Sequence, residues 1–150
     1  MESIWNDTYV GDMTARIGKL TPDTRPLWGK MAVSQMLAHC NVSYELAYEN
    51  KHPKPNAVLR FILKLLVKPT VVNDKPYKPG SPTGSQFRIK DTRDFTAEKA
   101  RLLGYIRKTR DLSEAHFNGR EYHSFGPLTV KEWNNLFAKH LDHHLRQFGA

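Results

Sequence analysis

The chain has 150 residues, 39% of them hydrophobic and 25% charged, which suits one domain spanning 1–150 that buries roughly 68–70% of its unfolded surface. Its one cysteine, Cys40, excludes an internal disulfide, no apolar run approaches the ~20 residues of a membrane span, and the start, MESIWNDTYVGD, has no basic stretch leading into an apolar one, so a soluble cytoplasmic protein is the expectation. The net charge of +8 is local: residues 51–93 hold ten Lys/Arg against two Asp/Glu, while the rest of the chain has thirteen of each, which argues against a protein that is basic throughout.

Residues 8–20 carry a weak helical pattern, with Val10, Met13, Ile17 and Leu20 on one side. TPDTRPLWG then reads as a turn region. The stretch MAVSQMLAHCNVSYELAYEN predicts a second long helix over 32–49, with Met36, His39, Cys40, Ser43 and Ala47 in one stripe and Gln35 placed to bond the helix start. Residues 51–95 form a long basic connection that holds most of the prolines. Inside it, AVLRFILKLLVK (Ala57 to Lys68) reads as a short helix, apolar all round except for Arg60, Lys64 and Lys68 at intervals of four, and Pro69 is expected to stop it. Its apolar surface exceeds what one packing face needs. A homodimer contact is one reading, and a helix wedged under the connection is the other. TAEKARLLGYIRKTR predicts a third long helix over 96–110 with Thr96 as its N-cap. Nothing reads as a paired set of strands, and Thr70–Val72 and Gln86–Ile89 are short and isolated.

The last helix, over 129–148, is the best marked. Thr129 and Glu132 form a capping box, Leu128 and Trp133 fall at the positions of a hydrophobic staple, and Gly149 is a natural stop. Its apolar stripe runs Trp133, Phe137, His140, His144, Phe148, with Leu136, Leu141 and Leu145 beside it. His140 and His144 therefore occupy core positions, while His143 lies toward the flank with Lys139 and Arg146.

Two inward histidines at i and i+4 have Cβ atoms ~5–6 Å apart on one helix face. A divalent cation between such rings satisfies both, with neutral nitrogen as ligand. The alternative is that each is a core histidine bonded to a neighbouring carbonyl or tyrosine. His39, on the stripe of the second helix, is the natural third ligand. The zinc-protease signature is absent, because Leu141 stands where its glutamate would be.

WGKMAVSQMLAHC near the start and FGPLTVKEWNNLFAKHLDHHLRQFG at the end resemble the DinB-like (DinB/YfiT) superfamily, and within it a branch catalogued as a domain of unknown function. The resemblance covers the two ends, about half the chain, and rests on an MLAHC-type helix combined with a terminal HxxHHxxQ. It implies an all-α fold, a four-helix bundle with a long crossover between the second and third long helices. It also implies a divalent metal, zinc or nickel, on His39, His140 and His144. Relatives in that superfamily include metal-dependent thiol S-transferases that use low-molecular-weight thiols such as bacillithiol or mycothiol, and their bundles are often dimers.

Two classes of function stay open. One is an enzyme acting on a small-molecule substrate, either a thiol S-transferase or a metal-dependent hydrolase. The other is a non-catalytic, metal-stabilised module that binds an anionic partner through the basic crossover. Nucleic acid is disfavoured as that partner, since no recognised motif and no regular interleaving of aromatics with Lys/Arg is present. No fourth protein ligand is evident, which favours an open coordination position and hence the enzyme. Cys40 reads as small core packing, Asp142 as solvated, and Trp28 and Trp133 as core anchors. His52, His116 and His123 fall in loops or at helix ends and read as solvated, with His123 alone placed where it could approach a site mouth. Catalytic residues are not assigned.

Overall fold

The signals at the chain's two ends become well-formed helices in the computed structural model, which describes residues 2–150. Helix α1 (Asp7–Gly18) is capped by Asn6, whose side chain accepts from the Tyr9 amide at 3.1 Å, and Val10, Met13, Ile17 and Leu20 are buried as their spacing requires. Helix α2 (Val33–Tyr48) starts at a bond from the Ala32 amide to Gln35 Oε1 (3.0 Å). Every residue from Met36 to Leu46 is buried, so α2 is enclosed on all sides rather than along one stripe.

Helix α3 (Ala57–Ile62), capped by Asn56, runs into a π-turn (Leu63–Val67) and then into α4 (Lys68–Val72). Pro69 therefore does not end the helical run. The wider turn, closed by Lys68 N–H donating to the Leu63 carbonyl, relieves the clash that the proline ring otherwise makes with the carbonyl four residues earlier. A single 3-10 turn (Ser85–Phe87) follows in the rest of the connection.

Helix α5 (Phe95–Phe117) starts before the expected position, because the cap is Asp94, accepting from the Ala97 amide at 2.7 Å, and not Thr96. It also ends later than residue 110. Ser113 (φ 61°, ψ 169°) interrupts the helical path, and one further turn is held by Phe117, which is fully buried against the rings of Trp5, Trp133 and Phe137. Strands β1 (Glu121–Tyr122) and β2 (Gly126–Pro127) then pair antiparallel, with Tyr122 opposite Gly126. Two residues per strand carry no alternating pattern, which is why no pairing was expected. Helix α6 (Val130–Gln147) has the capping box at Thr129 and Glu132, a buried staple of Leu128 and Trp133, and Gly149 at φ 71° as its stop.

The described residues are thus all-α apart from this small hairpin. Helix α2 packs most extensively on α5 and also on α6, α1 packs on α5, and α4 packs on α6. An aromatic column crosses the core from Tyr105 through Tyr44, Phe137 and Trp133 to Tyr122, with successive centroids 5.4, 4.4, 5.6 and 5.4 Å apart. It ties α5, α2, α6 and the hairpin together and so fixes how α2 faces α6. On the α2–α5 seam, buried Glu45 meets Lys51, His52 and Arg101, and buried Glu98 meets Asn41 and Arg101. Burial alone would raise the Glu45 pKa, but the hydrogen bonds from Lys51, His52 and Arg101 together outweigh it and hold the carboxyl below its usual range.

Lys139, expected on the flank of α6, is enclosed there by the crossover. It is 3% exposed, and its ammonium donates to the Thr70 carbonyl (2.6 Å), the Asn73 carbonyl (3.0 Å) and Asn73 Oδ1 (2.9 Å), beneath the Tyr77 ring at 4.5 Å. Burial draws its pKa down to about 8, so the group stays protonated at neutral pH and each of its three N–H bonds has an acceptor. With Asn135, which donates to the Val72 carbonyl (2.8 Å) and to Asp74 Oδ1 (3.0 Å), the Lys139 side chain pins residues 70–77 across α6. Replacing it leaves those acceptors unpaired, so Lys139→Met is expected to lose roughly 2–4 kcal/mol of stability. Lys131→Met removes only the exposed pair with Asp74 and is expected to change stability by less than about 1 kcal/mol. Urea unfolding of the two variants measures the difference.

Candidate metal centre

The buried faces of α2 and α6 bring His39, His140 and His144 together. His39 comes two turns into α2, and the other two sit one turn apart on α6. One ring nitrogen from each lies within 4.8 Å of the others, and His39 Nε2 is 2.9 Å from His140 Nε2. Among the described residues this is the one group of three or more His, Cys, Asp or Glu side chains with ligand atoms so close. Tetrahedral zinc with Zn–N bonds near 2.05 Å sets ligand nitrogens ~3.3 Å apart, a value inside the observed spread.

The second nitrogen of each ring is spoken for. His39 Nδ1 donates to the Phe87 carbonyl at 2.8 Å, and a carbonyl only accepts, so His39 presents a lone pair at Nε2. His144 Nδ1 contacts Gln147 Oε1 at 2.8 Å. The amide is oriented by its own Nε2 donating to the Trp28 carbonyl at 2.7 Å, so His144 is also fixed with the proton on Nδ1. His140 Nδ1 meets the Ser43 hydroxyl at 2.8 Å. Three rings held by their outer nitrogens, with their inner nitrogens facing one small volume, match the donor set and the supporting hydrogen bonds of a metal site.

Burial lowers the pKa of all three rings: His39 below the usual histidine value, His140 well below it, and His144 to about 3. The positive charge that neighbouring imidazoles would carry pushes His140 and His144 the same way. At neutral pH the rings are uncharged, which is the ligand form. Without a cation, His39 Nε2 facing His140 Nε2 is tolerable only if His140 turns its proton inward. With one, both lone pairs are used.

Around the triad, Phe87 packs on His39 and His140 at 5.3 and 5.7 Å, and His143, half-buried, stands between Trp28 (5.9 Å) and Tyr77 (5.7 Å). Trp28 is thus a half-buried rim residue rather than a core anchor, whereas Trp133 is fully buried as expected. Gly29, at φ +85°, lets the loop pass Gln147; a Cβ there would come 2.8 Å from the Gln147 amide nitrogen.

Cys40 is 1% exposed, its thiol contacts Met36 Sδ at 3.7 Å, and burial pushes its pKa well above the ordinary range, so it is core packing and not a nucleophile. Asp142 is half-buried and pairs with Arg16 and Arg146. The loop histidines are not simply solvated. His52 is half-buried against Glu45 at 2.7 Å, His116 is packed edge-on to Phe117, and His123 sits by the carbonyls of His52 and Pro53 instead of at the triad. Neither the Phe87 carbonyl, which holds His39, nor the Trp28 carbonyl, which holds the Gln147 amide, is marked by a side-chain pattern. Ser43 and Gln147 are: the first lies on the α2 stripe one turn after His39, and the second closes the HxxHHxxQ pattern.

Searches of curated proteins and of solved structures return no match. Residues 8–150 match the profile of a family described as "Protein of unknown function (DUF1569)". Since that match runs from the first turn of α1 past the end of α6 and takes in all three histidines, the chain belongs to the DUF1569 family.

Proposed function

We propose that this protein is a DinB-like four-helix bundle, formed by α1, α2, α5 and α6, that binds a divalent cation, zinc or nickel, on His39, His140 and His144. We further propose that it transfers a low-molecular-weight thiol to a small electrophile. The convergence of three neutral imidazoles, each braced at Nδ1, is the observation that carries the reading. A long crossover between the second and third of these helices supports the DinB-like arrangement.

When bound, the cation supplies a Lewis acid that favours the anionic, nucleophilic form of a thiol. Three uncharged ligands leave its positive charge undiminished. Ser43, Gln147 and the Phe87 carbonyl keep the rings aimed, and Phe87 with the Trp28–His143–Tyr77 rim shields the triad from bulk water. A thiol nucleophile has to come from outside the chain, because the one cysteine is enclosed and faces Met36. Arg88, exposed, paired with no carboxylate among the described residues and next to Phe87, is positioned to attract a carboxylate-bearing thiol.

The wild-type protein is expected to bind one equivalent of zinc or nickel, and His140→Ala and His144→Ala to bind far less. Metal at a thousandfold over its Kd raises stability by about 4 kcal/mol, a gain that both variants lose. Elemental analysis and thermal unfolding report this, and stoichiometric metal retained in both variants overturns the site.

Ser43→Ala removes a brace without removing a ligand. It is expected to weaken metal affinity about 10–100-fold while the far-ultraviolet circular dichroism stays as in the wild type. Chelator competition measures the loss.

Metal-loaded protein with bacillithiol, mycothiol, glutathione or cysteine and a chromogenic electrophile is expected to react faster than the His144→Ala control. If no thiol does, the transferase reading fails for those substrates. Turnover of an ester or amide without thiol then favours a hydrolase.

A further inference from the structure

The helical run from Ala57 to Val72 is set into the molecule the opposite way round from an ordinary surface helix. Two of its three cations turn toward the protein: Arg60 pairs with Glu121 beside the hairpin (2.9 Å), and Lys68 with Glu132 at the start of α6 (2.8 Å). Leu63, Val71 and Val72 pack on the core. The remaining face points outward and is apolar. Val58 is 71% exposed, Phe61 66%, Leu66 67% and Leu65 61%, with Leu59 and Ile62 beside them. Among the described residues, all exposed large hydrophobics but Leu27 lie on this run, between Val58 and Val67. Single exposed hydrophobics need no explanation, but a contiguous set on one helix marks a surface that is covered when the protein works.

The charge that flanks this run along the chain discriminates between coverings. Lys54 precedes the run, Lys64 lies within it, and Lys75 and Lys78 follow it; all four are exposed and pair with no carboxylate among the described residues. The acids of residues 51–93, Asp74 and Asp91, are already paired with Lys131 and Arg93, and Asp94 at the end of the crossover caps α5. A second copy docked about a two-fold axis would set this lysine-rich segment against its own copy. An anionic lipid surface meets both halves of the pattern. Apolar side chains enter the boundary between headgroups and acyl chains, and lysines flanking them meet the headgroups.

We propose that residues 57–72 are an in-plane membrane anchor, which docks this protein on the surface of a bilayer rich in anionic lipid. No helix of the described chain is long and apolar enough to cross a membrane, so the association is peripheral. The exposed apolar face is the part that inserts, and the inward Arg60 and Lys68 pairs fasten the anchor to the hairpin and α6. The three-histidine site then sits on a protein held at the lipid surface.

The full-length chain is tested by co-sedimentation with vesicles of phosphatidylcholine containing about 30 mol% phosphatidylglycerol, beside vesicles of phosphatidylcholine alone. Binding to the anionic vesicles is expected to exceed that to the neutral ones by about tenfold or more and to fall as salt is raised from about 0.1 to 0.5 M. The double variant Phe61→Glu/Leu65→Glu alters only exposed positions, so its circular dichroism and unfolding midpoint are expected to match the wild type while vesicle binding is lost. Lys75→Glu/Lys78→Glu is expected to weaken binding to anionic vesicles alone. Absence of binding to anionic vesicles overturns the proposal, as does binding that survives Phe61→Glu/Leu65→Glu. A dimer seen by light scattering and abolished by that variant, without vesicle binding, overturns it in favour of a second copy of the chain.

Discussion

Three imidazole rings share one small volume between α2 and α6, and such an arrangement survives in a protein interior only if every ring N–H finds an acceptor. The acceptors come from three separate places. Ser43 is one turn along α2 from His39, Gln147 is one turn along α6 from His144, and the Phe87 carbonyl belongs to the crossover. The crossover is therefore part of the centre, and its path across the helices is fixed by what the rings need. Lys139 does the matching work on the far flank of α6, where its three donors hold carbonyls and a side-chain oxygen of the same crossover. A long, proline-rich segment with no core of its own is thus tied to α2 through a histidine and to α6 through an ammonium, beside its ion pairs with Glu121, Glu132 and Lys131.

Rigidity at the centre comes from the packing behind it. The column from Tyr105 to Tyr122 fills the space between α5, α2, α6 and the hairpin with rings stacked as far as Trp133, which meets Tyr122 edge-on, and Phe137 in that column lies one turn before His140 on the same stripe. The residues that make α6 a core helix and those that make it a ligand helix are one continuous series. Loss of the column would let α6 rotate and carry both histidines away from His39. The polar seam of Glu45, Glu98 and Arg101 pins the opposite side of α2, so the helix that carries His39 is held on two faces by different forces.

Much of this was legible because helices and ligand pairs share a period. The four-residue step from His140 to His144 sits in phase with Trp133, Phe137 and Phe148, so one pattern locates both the helix and the inward rings. His39 followed from the same reasoning on α2. The unread features are those whose partners lie far along the chain or in the backbone. Phe87 contributes a carbonyl, which every residue has, so no side-chain pattern marks it. Lys139 looks like a flank residue because its acceptors lie more than sixty residues away. The π-turn before Pro69 is a local rewinding that a proline rule alone does not foresee, and the extra turn of α5 after Ser113 depends on Phe117 finding Trp5 and Trp133. Asp94 was passed over for Thr96 as a cap, although either type serves, because the sequence does not say where Phe95 packs.

Gly29 gives an outlying loop authority over the ligands. Its missing side chain is the clearance through which the Gln147 amide reaches the Trp28 carbonyl, and that amide in turn holds His144. Any larger residue there would shift the amide first and the imidazole next, with the three ligands unchanged in identity. Drift at this loop position thus acts as a dial on the strength of the centre, so two chains with the same histidine triad can differ in how firmly they grip an ion.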